Sequence, residues 1–239
     1  MSDSVQSIET HSASLSTGFS GLFPHGALTA ELRGAGDPNA LYPDEARHLQ
    51  KAVRKRAEEF AAGRLCARLL LREFGIQNFA IEVGADRQPL WPKELVGSIT
   101  HTTGFCAAVV AHKKSLRSVG IDTEIAGSVK TDLWRGICTP SETTWLRALP
   151  ESERLAAATL IFSAKEAFYK CQFTVTQERL GFHDVSVELP AWGEKRGAFK
   201  IIANRGIELE RSAALPLQGQ YRFHEQFLTS GIALGEAPP

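Results

Sequence analysis

Asp122 and Glu124 stand two residues apart in the run Ser118-Val119-Gly120-Ile121-Asp122-Thr123-Glu124. The run reads as a β-strand, and strand side chains alternate, so both carboxylates point to one face. Two like charges on one face repel unless a cation lies between them. A hard cation such as Mg²⁺ takes oxygen ligands, and when few carboxylates hold it, substrate phosphates usually complete its shell. A third acid, Glu166, lies in Phe162-Ser163-Ala164-Lys165-Glu166-Ala167-Phe168-Tyr169-Lys170, which has a helical pattern. Glu166 and Lys170 are four residues apart and share a helix face. Read separately, these are also what a solvated edge strand and a surface ion pair look like. If Glu166 faces the strand acids, three carboxylates hold one Mg²⁺ and Lys170 lies beside the bound phosphates, a charge-neutralising cage for phosphoryl chemistry.

Such chemistry needs cations to hold the anionic substrate. The stretch from Arg47 to Arg72 carries Lys51, Arg54, Lys55, Arg56, Arg64, Arg68 and Arg72 against Glu58 and Glu59. Arg64, Arg68 and Arg72 recur every four residues and form one helical stripe, while Phe60, Leu65 and Leu69 offer an apolar side. The stripe reads either as a solvated face with snorkelling stems or as a phosphate-binding face, because the guanidinium fork matches phosphate oxygens. Lys+Arg and Asp+Glu balance at 27 each. A long arginine-rich helix in a neutral chain favours an anionic ligand, whereas zero net charge gives no global reason for a nucleic-acid or membrane-surface partner. His101 ends the run Gly97-Ser98-Ile99-Thr100-His101, where its imidazole and the Thr100 hydroxyl suit a phosphate contact.

These residues need a scaffold. At 239 residues and 43% hydrophobic content, the chain can bury one large domain or two small ones. Residues 1–18 and 236–239 read as flexible tails, with an N-terminal half over 19–115 and a C-terminal half, holding the acids, over 116–235. The first half is expected to contain one long helix from about Asp44 to Phe74, stopped by Gly75, and extended segments at Ala80–Val83, Gly97–His101 and Phe105–Ala111. The second is expected to open on the Asp-x-Glu strand and continue with helices over Ser141–Ala148 and Ser152–Gln172. Strands are expected at Val185–Leu189, Ala198–Ala203 and Tyr221–Thr229. Helices mixed with antiparallel-type strands in both halves give an α+β class. No internal repeat stands out. Cys66, Cys106, Cys138 and Cys171 lack paired spacing and read as buried thiols rather than a disulfide or zinc framework. No apolar run is long enough to span a membrane, and no signal pattern precedes the fold, so a cytoplasmic location is expected.

The order of the motifs says more than any one of them. A basic helix with Gly63-Arg64-Leu65-Cys66-Ala67-Arg68 is followed by Arg87-Gln88-Pro89-Leu90-Trp91-Pro92, then Gly97–His101, Gly120–Glu124 and Phe162–Lys170. Over about residues 45–190 this series resembles the 4′-phosphopantetheinyl transferases of the longer, monomeric type that activates siderophore, peptide and polyketide synthetases. The resemblance implies two similar α+β halves with coenzyme A in the cleft between them. It implies Asp122, Glu124 and Glu166 as Mg²⁺ ligands, Lys170 on the coenzyme A diphosphate, and Lys165, beside Glu166 in the Lys-Glu motif, as a further coenzyme A-binding residue. It further implies Thr100 and His101 as phosphate contacts, Arg56 and Arg64 on the 3′-phosphate, and Glu142 as a second candidate general base. Some relatives carry a lysine shortly before the Trp-Pro motif. The nearest position by spacing is Val83, and Arg87, just beyond it, is taken as the substitute. Thr123 fills a variable middle position.

The implied reaction is attack of a serine of an apo acyl or peptidyl carrier protein on the β-phosphorus of coenzyme A, releasing 3′,5′-ADP, with Glu166 or Glu142 taking the proton. Carrier docking is expected either on Lys51, Arg54, Lys55 and Arg72 or around Trp134 and Ile137. Two other readings use the same residues: a Mg²⁺-dependent nuclease, and a non-enzymatic module gripping an anionic partner through the basic helix. The missing basic surface weakens the first, and the few aromatics flanking the helix weaken the second.

Overall fold

A computed structural model describes residues 13–16, 18–19, 21–211 and 217–235. Of the tails expected over 1–18 and 236–239, residues 1–12, 17 and 236–239 lie outside the described residues. The N-terminal half runs β1 (Ser14–Leu15), β2 (Ala27–Arg33), α1 (Pro43–Ala46), α2 (Arg54–Glu73), β3 (Leu95–Thr102) and β4 (Phe105–His112). Its antiparallel sheet has the order β1-β2-β4-β3. Ser14 and Leu15 pair with Glu31 and Ala30, so the chain joins the sheet within the stretch read as a tail. The C-terminal half runs β5 (Ser118–Ile125), α3 (Trp134–Ile137), α4 (Pro140–Ala148), α5 (Glu151–Thr176), β6 (Val185–Glu188), β7 (Arg196–Ala203), β8 (Leu217–His224) and β9 (Phe227–Leu234). Its sheet has the order β5-β9-β8-β7-β6.

The halves share one plan: a strand, short helical segments, a long helix, then antiparallel strands, two in the first half and four in the second, the last of which pairs with the first strand. In the first half β4 returns to β2, and in the second β9 returns to β5. Each long helix covers its own sheet. Ala62, Cys66 and Leu70 of α2 pack with Leu32, Cys106 and Val110, and Ile161, Ala164 and Phe168 of α5 pack with Phe199, Tyr221 and Ile232. The opposite face of β4, through Phe105 and Val109, meets Val119 and Ile121 of β5 and Phe227 of β9, which joins the halves. Burial on both faces is what the apolar run at Phe105–Ala111 requires.

Three expectations change. The helix read from Asp44 to Phe74 is two helices. Glu45 of α1 pairs with Arg68 of α2 at 2.6 Å, and one straight helix would hold them about 34 Å apart at 1.5 Å per residue. Ala80–Val83 is not a strand apart from a single bridge between Val83 and Pro89. The Ile81 amide and carbonyl are taken instead by the side chains of Glu45 and Arg64. Tyr221–Thr229 is a hairpin, turning at Glu225 with φ +52°. Gly75 does end α2, with φ +76°.

Candidate active site between the halves

β3 and β5 meet where the two sheets adjoin, and hydroxyl side chains stitch them. Ser98 Oγ accepts from the Ile121 amide at 3.2 Å, and Thr100 Oγ1 accepts from the Thr123 amide at 2.8 Å. On the far side α5 presses on β5 at Gly120, where any Cβ would overlap the Ala167 carbonyl oxygen. Glycine there lets the helix backbone approach the strand closely. Lys170 of α5 then donates to the Ile121 carbonyl at 3.1 Å and to Asp122 Oδ1 at 2.7 Å. Ser163 donates to the Asp122 carbonyl at 3.3 Å. Asp122 is buried, and its Oδ2 has no hydrogen-bond partner.

The neighbouring acids feel this enclosure. Burial, reinforced by Asp122 and Glu166 and opposed by Lys170, pushes the Glu124 carboxyl up to about 7. Burial also raises Glu166, with Lys170 opposing and Asp122 adding. Burial disfavours the Lys170 ammonium, but Asp122 first, then Glu166 and Glu124, outweigh it and hold its pKa above the ordinary value. Three acids and one lysine thus form a single electrostatic group spanning β5 and α5.

His101, at the end of β3, borders the group. Its Nε2 lies 2.7 Å from Arg56 Nη1, and its Nδ1 lies 3.6 Å from Glu59. Arginine can only donate, so Nε2 accepts and the proton sits on Nδ1 toward Glu59. Burial, then Arg56, holds the imidazole below its usual pKa, which matches this neutral form. A cleft of about 440 Å³ runs past Arg87, Trp91, Ser98, Glu166, Tyr169 and Lys170. Beside it a narrower pocket of about 220 Å³ opens between Glu166 and Tyr169 on α5 and Leu180, Phe182 and Val185.

Residues 44–111 match the 4′-phosphopantetheinyl transferase N-terminal domain, and residues 118–223 match the 4′-phosphopantetheinyl transferase superfamily. The chain is similar to the 4′-phosphopantetheinyl transferase PptT of Mycobacterium tuberculosis, 37% identical over 203 residues, which cover 83% of this chain and 88% of the relative. The chain belongs to the 4′-phosphopantetheinyl transferases. It is also similar to the 4′-phosphopantetheinyl transferase Npt of Nocardia iowensis, at 37% identity over 70% of this chain and 74% of that one. Enterobactin synthase component D of Escherichia coli K12 is 40% identical over 58% of this chain and 65% of its own length. As a member of this family, the enzyme transfers phosphopantetheine to carrier proteins.

In this transferase Asp122, Glu124, Glu166, Lys170, His101 and Arg56 come together around the β3–β5 seam, and Arg87 shares the cleft with Glu166 and Lys170. Six other expected residues are placed differently. Thr100 is buried, and its hydroxyl is spent on the Thr123 amide and on Asp122, 3.4 Å away. Arg64 turns inward: its Nε donates to the Ile81 carbonyl at 3.1 Å and its guanidinium lies 3.8 Å from the Phe60 ring centroid. Burial lowers its pKa to about 10. Glu142 and Lys165 bond each other at 2.7 Å away from the acids, and Glu142 acts electrostatically on Cys138 and Lys165 rather than on Glu124 or Glu166. Trp134 and Ile137, read as a docking surface, are buried in the C-terminal core. Glu59, which orients His101, and Ser98, which locks β5, were not anticipated. Ser98 alone had a signal, as a hydroxyl two residues before Thr100 on the same strand face.

Among the described residues, no group of three or more His, Cys, Asp or Glu is drawn up as a ready-made metal cage. The donor set nevertheless fits Mg²⁺. Asp122 Oδ2 is a buried, unpartnered anionic oxygen, and Glu124 and Glu166 are carboxyls whose ionisation burial opposes, with Lys170 offsetting it and Asp122 adding to it. A cation relieves all three, and Mg²⁺ needs only one or two carboxylates when phosphates and water complete its shell. No helix among the described residues is long and apolar enough to cross a membrane.

Proposed function

We propose that this transferase takes phosphopantetheine from coenzyme A in the cleft between its halves and passes it to a carrier-protein serine in a Mg²⁺-dependent reaction. The observation that carries this reading is the unpartnered Asp122 Oδ2 inside a group of three acids and one lysine. Asp122, Glu124 and Glu166 would hold the ion. When bound, Mg²⁺ supplies positive charge against the diphosphate. Lys170 keeps its proton beside Asp122 and donates to the diphosphate oxygens. Arg56, about half exposed, meets the 3′-phosphate with His101 beside it, and Arg87 approaches from the other wall of the cleft. The narrow pocket beside Glu166 takes the uncharged pantetheine arm.

The serine oxygen forms a bond to the β-phosphorus while the bridging bond to the α-phosphate breaks, and 3′,5′-ADP leaves with that electron pair. Glu166 receives the serine proton, because it lines the cleft together with Lys170. Both oxygens of Glu142 are occupied by backbone amides and Lys165, which favours Glu166. One chain supplies both walls of the cleft, in keeping with a monomer, and its four free, buried cysteines suit a reducing cytoplasm. The test is a mass measurement on an apo carrier protein after incubation with enzyme, coenzyme A and Mg²⁺. A pantetheine-phosphate mass gain that disappears with EDTA is expected. A carrier that stays unmodified across acyl and peptidyl types would overturn the proposal.

A further inference from the structure

We propose that Glu142 and Lys165 are positioning residues that fix the wall of the narrow pocket beside Glu166, through a device the fold uses twice. In the N-terminal half Glu45 is the third residue of α1, directly after a helix start at Pro43. Its carboxylate accepts from the Tyr42 amide at 3.0 Å, the Ile81 amide at 3.0 Å and Arg68 at 2.6 Å. Arg68 also donates to the Ala40 carbonyl at 2.6 Å. In the C-terminal half Glu142 is the third residue of α4, after Pro140. It accepts from the Thr139 amide, the Val187 amide and Lys165, each at 2.7 Å. Acid and cation are 23 residues apart in both copies. In each, the acid closes the short helix's first turn and the cation arrives from the long helix. The acid also grips an amide in the segment that follows that helix.

The C-terminal copy adds one contact. Lys165 donates to the Ile137 carbonyl at 3.0 Å, to Glu142, and to the Phe182 carbonyl at 2.8 Å. An ammonium has three hydrogens, and all three are used, so none is left for a phosphate. Phe182 belongs to the segment between α5 and β6 that walls the pocket, and its ring lies 5.5 Å from that of Phe162 on α5. From outside, Arg205 clasps the same segment through Asp184 at 2.8 and 3.1 Å. Lys165 therefore sets the distance between that wall and Glu166, the next residue of α5. A pocket held in this way fits an extended, uncharged group, the pantetheine arm, and so the inference rests on the proposed function.

The experiment compares calorimetric binding of coenzyme A with that of adenosine 3′-phosphate 5′-diphosphate, which keeps the diphosphate and lacks only the arm, at one Mg²⁺ concentration. The wild type should bind coenzyme A more tightly. The paired variant Lys165→Met/Glu142→Gln, which leaves no charge buried, should lose about tenfold or more in coenzyme A affinity and keep its affinity for adenosine 3′-phosphate 5′-diphosphate. A folded double variant that retains the wild-type preference for coenzyme A would overturn the positioning role. Equal affinities in the wild type would overturn it by another route, showing that the pocket does not hold the arm. Should the double variant fail to fold, Lys165→Arg decides. Its guanidinium keeps Glu142 paired but cannot keep the Phe182 contact at the same length, so coenzyme A binding alone should weaken. Unchanged coenzyme A binding in that variant would count against the proposal.

Discussion

The two long helices diverge at one position. In α2 the residue after the paired cation Arg68 is Leu69, which packs against the N-terminal core. In α5 the residue after Lys165 is Glu166, which joins Asp122 and Glu124. Three residues further along that face the same comparison sets Arg72 against Tyr169, a wall of the cleft. One scaffold therefore occurs twice; among the described residues the N-terminal copy leaves no buried side-chain polar atom without a partner, while the C-terminal copy leaves Asp122 Oδ2 without one. Burying a carboxylate without partners is costly, and such strained electrostatics mark a functional site more reliably than the number of charges does.

The largest effect should come from removing the unsatisfied group. Asp122→Ala or Glu124→Ala should cut transfer at least ~100-fold while leaving the circular dichroism spectrum intact. Full activity of either variant at ordinary Mg²⁺ would erase the contrast between the copies. The satisfied pairs should respond in the opposite sense. Glu142→Ala, which strands Lys165, and Glu45→Ala, which strands Arg68, should each lose about 3–5 kcal/mol of stability in urea titrations. If either loses no stability, the two copies are not equivalent devices.

Much of the scaffold was readable in the chain. The strands at β3, β4 and β5 and the helices α4 and α5 follow from apolar runs and caps, and the acids on β5 follow from strand alternation. What failed has specific causes. A four-residue arginine spacing places Arg64 and Arg68 on one stripe with the exposed Arg72 but does not say that the first two face inward, because a buried guanidinium needs acceptors that only the fold supplies: the Ile81 carbonyl for one, Glu45 and Ala40 for the other. β2 was missed because Ala27-Leu28-Thr29-Ala30-Glu31-Leu32-Arg33 alternates correctly but contains residues of weak strand preference. The two similar halves follow from the family resemblance rather than from any sequence repeat, because the copies share little sequence beyond Pro43-x-Glu45 and Pro140-x-Glu142, each followed 23 residues later by a cation.

Arginine variants sharpen the comparison within α2. Arg56→Ala should raise the KM for coenzyme A but not that for dephospho-coenzyme A, a cost of about 1.5–3 kcal/mol. Arg64→Ala, which removes an inward contact, should lower the unfolding midpoint instead and affect both substrates alike. A 3′-phosphate-specific effect of Arg64→Ala would show that the side chain turns outward to meet its ligand. The smallest effect is expected at Arg87→Ala, a rise of about two- to fivefold in coenzyme A KM with kcat unchanged, as befits an exposed charge whose contacts are screened.

The contrast between satisfied and unsatisfied acids is tested most directly by Glu166→Gln beside Glu142→Gln, with kcat measured at saturating coenzyme A and carrier. Glu166→Gln should lose most of its turnover and unfold at the same urea concentration as the wild type or a higher one, because the half-buried carboxylate is costly to ionise. Glu142→Gln should keep substantial turnover and lose stability. Turnover that survives in Glu166→Gln and vanishes in a folded Glu142→Gln would contradict the account and make Glu142 the base.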